Sequence, residues 1–370
     1  MNKLPSDWQI KTLNEVCFPS SSNIAYKDVK DKKGNYPIFG ASGIVAYADF
    51  YSKEKECLGI VKDGSVGKIF LLPAKSSVIS TLNYLENTDL SDIKYLYYFL
   101  HRINFSKYIK GSVIPHIYFR DYKKEKIPLP PLATQKQIAK KLDYLFDKIE
   151  RGIKYLKLAK ENIIEYKQSM LKYAFEGKLT DCNNWEIKTL GEVCEILDNI
   201  RKPINATERK QRLKKSNLRY AYYGATGQIG YIDNFLFDFE AILLGEDGAP
   251  FLEPFKNKAY IVSGKYWVNN HAHILRAKDN ISINKFLCYF LNTVDYMPYV
   301  SGTTRLKLNQ FSMKQIKIPI PPIETQKEIV SILDKSFESA DNMLKYVEDS
   351  LDKAELLKRA LLRDAFNAKL

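Results

Sequence analysis

Positive charge carried on turn-like segments is the chemistry this sequence offers most plainly. Residues 201–219, RKPINATERKQRLKKSNLR, hold eight Arg/Lys against one Glu and no long apolar stretch. Such a run reads as a loop that brings charge to phosphates. Within it Lys210, Lys214 and Lys215 suit phosphate contact, because Lys is a point charge on a flexible stem. Arg201 and Lys202 open the run, and KDVKDKKGN at 27–35 is a smaller counterpart. Two further segments, KGSVIPHIYFRDYKKEKIPLPP and SGTTRLKLNQFSMKQIKIPIPP, each read as a Gly-Ser/Thr turn, an exposed polar run and a strand. They supply His116, Arg120, Thr304, Arg305, Lys307 and Asn309. Guanidinium and amide groups can form paired hydrogen bonds to base edges, each worth about 1–3 kcal/mol of discrimination. Lys62 and Lys68 beside GSVG, and Gln228 after GATG, complete the expected DNA-facing set.

Catalytic motifs are missing where such a set would need them. GSVGK at 64–68 has two residues between its glycines and Ile69 in place of Ser/Thr, so it reads as strand-turn-strand and not a phosphate loop. GASG at 40–43 and GATG at 224–227 lack a following helix and read as turns. Adenine methylation needs a cofactor-binding glycine motif and an (N/D)PP(Y/F/W) loop to grip the flipped base. The PP pairs here sit in LPPL and IPPI. No D…(D/E)xK nuclease run stands in a strand context. His271 and His273 in NNHAHIL alternate on one strand face with no acidic or Cys partner close in sequence, so they read as a polar or buried hydrogen-bonded pair and not a metal site. Cysteines at 17, 57, 182, 194 and 288 are odd in number and show no CxxC, which fits a reducing cytosol.

The elements that position these residues come in two copies. WQIKTLNEVC at 8–17 returns as WEIKTLGEVC at 185–194, IPLPP as IPIPP, TQKQIAKKLD as TQKEIVSILD, and MLKYAFEGKL as LLRDAFNAKL. The offset grows from 177 to 184 at GASG/GATG and to 191 from the proline motif on, so the second copy holds two insertions. Short apolar runs broken by Gly, Asn, Asp and Pro read as strands, and KYLYYFL and KFLCYFL as amphipathic helices, so each globular part is mixed α/β. A proline-free helix follows each. A heptad seam runs through Leu142, Leu145, Ile149, Leu156, Ile163 and Met170, with Gly152 at one missed position. Its counterpart uses Leu333, Ala340, Val347, Leu357 and Leu361. Each rod spans roughly 60 Å at about 1.5 Å per residue. Residues 133–179 carry 11 Lys/Arg against 6 Asp/Glu, and residues 324–370 carry 8 against 10, so opposite charge favours antiparallel pairing within one chain. A dumbbell with pseudo-twofold symmetry is expected. Its parts are a globular domain at 1–132, a helix at 133–179, a second domain at 180–323 and a helix at 324–370.

The 370 residues carry a formal net charge of +14, which points to a polyanion partner. The start MNKLPSDW has no apolar signal stretch, and no window of about 18 uncharged apolar residues reads as a membrane span. A cytoplasmic protein without membrane contact is expected.

Both copies resemble the specificity subunits of type I restriction–modification systems. The resemblance rests on W(Q/E)IKTL(N/G)EVC, GASG/GATG, G(S/T)…IP(L/I)PP, (A/E)TQK and AF(E/N)(G/A)KL, in order and in both halves. It implies two target-recognition domains joined by two long helices, each domain reading one half of a split site in double-stranded DNA. It further implies helices that act as a ruler and dock two methyltransferase subunits and, indirectly, two restriction subunits. S-adenosylmethionine would belong to the methyltransferase, ATP and Mg to the restriction subunit, and no cofactor to this chain. Target-recognition domains vary within that family, so base-reading residues do not carry over. Two other readings are an interaction scaffold that uses the rods without reading DNA, and an enzyme with its own methyltransferase or nuclease site.

Overall fold

The computed structural model describes residues 4–181 and 184–370; Cys182 and the first three residues of the MNKLPSDW start lie outside the described residues. The chain forms two compact units. One comprises the chain up to Leu156 together with Asp349–Leu370, the other Lys157–Glu348. Each holds one globular domain, the first part of the long helix that follows it, and the last part of the other long helix.

In the first unit, Gln9–Thr12 pairs antiparallel with Lys126–Leu129, bringing the repeated IKT and IPLPP motifs together. A four-stranded sheet runs Cys17–Ser21, Leu82–Asn87, Cys57–Val61, Ile69–Leu72, and a three-stranded one Gly43–Ala48, Tyr36–Gly40, Ser77–Val78. The second unit repeats the plan. Glu186–Thr189 pairs with Lys317–Ile320, and Cys194–Ile196, Ala272–Ala277, Ala241–Gly245, Ala259–Val262 form the first sheet. Gly227–Ile232, Tyr220–Gly224, Lys265–Val268, Phe237–Asp238 form the second. Even the irregularities recur: each GASG/GATG hairpin carries a bulge, at Ile38/Phe39 and at Tyr222/Tyr223. GASG and GATG are two-residue hairpin turns closed by glycine pairs 40/43 and 224/227. The KTL(N/G)EV motif is a short helix start, where Glu15 accepts from the Thr12 N–H at 2.7 Å and Glu192 from that of Thr189 at 2.6 Å.

The long helices are Leu132–Phe175 and Ile323–Ala365, each starting directly after its Pro-Pro pair. The buried Gln of the TQK motif fixes each entry. Gln135 donates to the carbonyls of Leu90 and Pro130 (2.9 and 2.8 Å) and accepts from Asp92 N–H. Gln326 does the same with Ile281, Pro321 and the Ser282 hydroxyl. The following Leu-Asp is a second clasp: Asp143 accepts from Tyr98 and Lys94, and Asp334 from Tyr289 and Lys285. At the far end the repeated Ala-Phe closes a core. Phe366 packs on Tyr95 and Phe99 in the first unit, and Phe175 on Phe286 and Phe290 in the second.

Within each unit the two helix segments run antiparallel. In the second, Lys160 meets Glu348 and Lys167 meets Asp341, both at 2.7 Å; a step of one heptad forward on one helix is one heptad back on the other. In the first, Lys358 meets Glu150 at 2.5 Å, the repeat-equivalent of the Lys167–Asp341 pair. Leu142, Leu333, Ala340 and Val347 are buried, and Leu145, Ile149, Leu156, Ile163, Met170 and Leu361 are half-buried. Two expectations are corrected. Leu357 is 49% exposed, because the inward positions there are Ala354 and the stem of Lys358, which turns in to reach Glu150. Ile153, not Gly152, is the buried residue of that turn. A straight helix of 3.6 residues per turn drifts about 20° per heptad from a 3.5-residue pattern. No helix among the described residues is long and apolar enough to cross a membrane.

Candidate nucleic-acid interface

In the second unit the polar loops gather around a hairpin. Val300–Ser301 pairs with Lys307–Leu308, and Lys307 also bridges to Asp247. Leu308 N–H donates to the Glu246 carbonyl at 2.7 Å. The turn Glu246-Asp247-Gly248 therefore braces the hairpin. Gly248 has φ +68°, a left-handed conformation that favours glycine, and a Cβ there would lie 3.2 Å from Arg305 Nη2. Arg305 Nη2 lies 2.6 Å from Asp247 Oδ1, and His271 Nδ1 lies 2.6 Å from the same oxygen. Lys307 meets Glu246 at 3.1 Å.

Beneath the hairpin sits a buried charged network. His273, 1% exposed, has Nδ1 2.6 Å from Asp198 Oδ2 and Nε2 2.8 Å from the Leu308 carbonyl. Burial pushes the Asp198 carboxyl up, but the His273 ring, the Ile274 N–H (2.9 Å) and Arg201 outweigh it and hold it below its ordinary 3.8. Arg201 Nη1 lies 2.7 Å from Glu246 and donates to the Ala272 carbonyl, with Nη2 3.5 Å from Asp198. Asp198, Glu246 and His273 could each offer a ligand atom within 4.8 Å of the others. The Arg201 guanidinium supplies the positive charge there that a cation otherwise would.

Several sequence expectations change here. The histidines do have acidic partners, Asp198, Glu246 and Asp247, from segments that directly follow other strands of the same sheet. Arg201 is a largely buried ion-pair partner rather than a free phosphate contact. Arg305 and Lys307 remain well exposed but are held by carboxylates. Asn309 accepts from the Ser312 N–H at 2.8 Å and caps a short helix, Gln310–Lys314, where a polar run leading straight to a strand was expected. Thr304 is exposed at the hairpin tip, and Gln228 is exposed with its amide on the Gly230 carbonyl. Lys62-Asp63-Gly64 in the first copy aligns with Glu246-Asp247-Gly248 in the second, so the repeat marks the bracing turn but not the network beneath it.

The segment 201–219 is not a loop throughout: Ala206–Lys215 is a helix capped by Asn205, which accepts from Glu208 N–H at 2.8 Å. It lacks an apolar stripe because its docking face is cationic. Arg209 stacks over Tyr222 and Arg212 over Trp267, at 4.4 and 5.2 Å, and Arg212 pairs with Asp233 at 2.7 Å. That leaves Lys210, Lys214 and Lys215 exposed. Lys202 is exposed, and its carbonyl accepts from the Trp267 indole.

The first unit builds the same frame with other residues. Asp63 bridges to His116, which also bridges to Lys110, and the Gly64 N–H donates to the Pro115 carbonyl at 2.9 Å. His116 Nδ1 lies 3.7 Å from Asp63. Lys68 is exposed and reaches the Ala41 carbonyl at the GASG tip; Lys62 is half-buried. Arg120 is exposed and stacks on Tyr118 at 4.6 Å. By strand register Asn83, opposite Ile60, stands where His273 stands opposite Leu244.

The family described as the type I restriction modification DNA specificity domain matches residues 5–157 and again 183–345. A Haemophilus influenzae chain named as a type I restriction enzyme specificity subunit is 37% identical over 43% of this chain, which spans 39% of that relative's length. The EcoDI specificity subunit of Escherichia coli is 22% identical over 100% of this chain and 90% of its own. Among solved structures, a chain from a study of complex assembly in a type I restriction–modification system superposes with a TM-score of 0.76 at 16% identity, covering all of both chains. The HsdS subunit of Thermoanaerobacter tengcongensis gives 0.58 at 17%, covering 100% of this chain and 98% of its own.

Proposed function

The chain belongs to the type I restriction modification DNA specificity family, and on that premise we propose that it reads a two-part sequence in double-stranded DNA, one part per unit. The observation that carries this reading is the contrast between frame and loops. Strand order, bulges, capping boxes and helix clasps recur in both units. At the hairpin and its bracing turn, Lys62, Asn83 and His116 are replaced by Glu246, His273 and Lys307, and only the second unit adds the basic helix. One scaffold with two loop chemistries suits two different half-sites on one duplex. Exposed Lys210, Lys214, Lys215, Lys202, Lys68 and Arg120 hold phosphates; Arg305, Thr304 and Gln228 face bases.

The long helices set the spacing between half-sites and dock two methyltransferase subunits, through which two restriction subunits join. The chain performs no chemistry itself: S-adenosylmethionine is bound by the methyltransferase, ATP and Mg by the restriction subunit. Selection of duplexes from a random pool by the full chain, with and without methyltransferase subunits, tests this. A motif of two defined stretches separated by an unread spacer is expected. A pool that stays unenriched in both settings would leave a scaffold that does not read DNA.

A further inference from the structure

We infer that Asp247 is a specificity-determining positioning residue, which turns Arg305 toward a guanine edge and away from phosphate. This rests on the proposed reading of DNA by the second unit. Arg305 is 60% exposed, yet one side of its guanidinium is held 2.6 Å from a carboxylate that is itself only 18% exposed. Asp247 cannot follow Arg305 outward. Its oxygen also meets His271, its backbone bridges to Lys307, and Gly248 lets the guanidinium lie close over the turn.

An exposed ion pair of this kind contributes little to stability. Its effect on a ligand is larger and depends on the ligand's charge. A phosphate approaching Arg305 meets the negative charge of Asp247 beside it. A guanine edge offers O6 and N7 as neutral acceptors and meets no such repulsion. The guanidinium has five donors, and holding one nitrogen leaves the others in a fixed fork that fits this bidentate acceptor pair. Asp247 thereby penalises contact with any duplex while preserving contact with the right one. The first unit makes the same kind of juxtaposition from different residues: Asp63, at the equivalent turn, bridges to His116 of the equivalent hairpin. An Asp at the same turn facing a basic residue of the same hairpin, in both units, is not what affinity alone requires.

The test uses the full chain and a random duplex pool, with wild type as reference. Asp247→Asn keeps shape and removes charge. It should bind the unselected pool several-fold more tightly and steepen the salt dependence by about one phosphate contact, about 3-fold more affinity lost over a fourfold rise in salt. Its enriched motif should lose definition in one half only. Arg305→Lys leaves Asp247 in place and keeps the charge but not the fork. It should hold pool affinity and lose definition in that same half. Unchanged pool affinity, salt slope and motif for a folded Asp247→Asn chain overturns the inference. So does an unchanged motif for Arg305→Lys, whatever the fold of the first variant. If wild type itself enriches no two-part motif, the proposed function fails, and that outcome is distinct from both.

Discussion

Replacing Lys210, Lys214 and Lys215 together by Ala isolates the phosphate term of DNA binding. The helix that carries them should survive. Asn205 caps its start, Arg209 and Arg212 hold its other face on Tyr222 and Trp267, and Ala has the highest helix propensity. The three ammonium groups are exposed, and among the described residues they hold no partner that the fold depends on. If each neutralises one phosphate, the slope of log affinity against log salt falls by about 2.7, at about 0.9 per phosphate. Between 50 and 200 mM salt the wild type would then lose about 40-fold more affinity than the variant, through these contacts alone. Fluorescence anisotropy on selected and random duplexes across that range measures it. The loss should be the same on both, because phosphates carry no sequence information. A variant that melts like wild type and keeps the wild-type slope would show that this helix does not lie on DNA.

Other outcomes follow from named contacts. Asp198→Asn should destabilise the second unit at neutral pH. A carboxylate held below 3.8 contributes fully above that value and loses its contribution as pH falls through its lower folded value, so wild-type and variant melting temperatures should converge only in strong acid. Phe366→Ala should cost about 3–5 kcal/mol in denaturant unfolding, since its ring is fully buried between Tyr95 and Phe99. Deleting residues 149–155 keeps the heptad pattern but shortens the first long helix by about 10 Å, so the spacer of the selected motif should shorten by about three base pairs with both halves retained. Purified chain incubated with labelled S-adenosylmethionine and DNA should transfer no methyl group.

Much of this was legible from the repeat. Two copies in register implied two like domains and two long helices, and the Gly-paired hairpins and strand textures are local signals that tertiary contacts did not override. The basic helix was not legible, because periodicity methods look for an apolar face and this face is arginine stacked on aromatic rings. The buried network was not legible either. Asp198, Glu246 and His273 lie far apart in sequence and meet only through the strand order of one sheet. Leu357 misled because a heptad count places an apolar residue inward by spacing alone, whereas here the stem of Lys358 takes the inward position to reach Glu150. The TQK motif was visible as a repeat, but its role as a buried amide clasp depends on carbonyls some 45 residues away in sequence, Leu90 and Ile281.

Mapping methylated adenines across a genome tests the central claim most directly, comparing cells that carry the wild-type chain, no chain, or the Arg305→Ala chain with the same methyltransferase. The account predicts a two-part methylated motif with wild type, none without the chain, and with Arg305→Ala a motif relaxed in one half and intact in the other. Methylation that persists unchanged without the chain, or a substitution that degrades both halves equally, would contradict it.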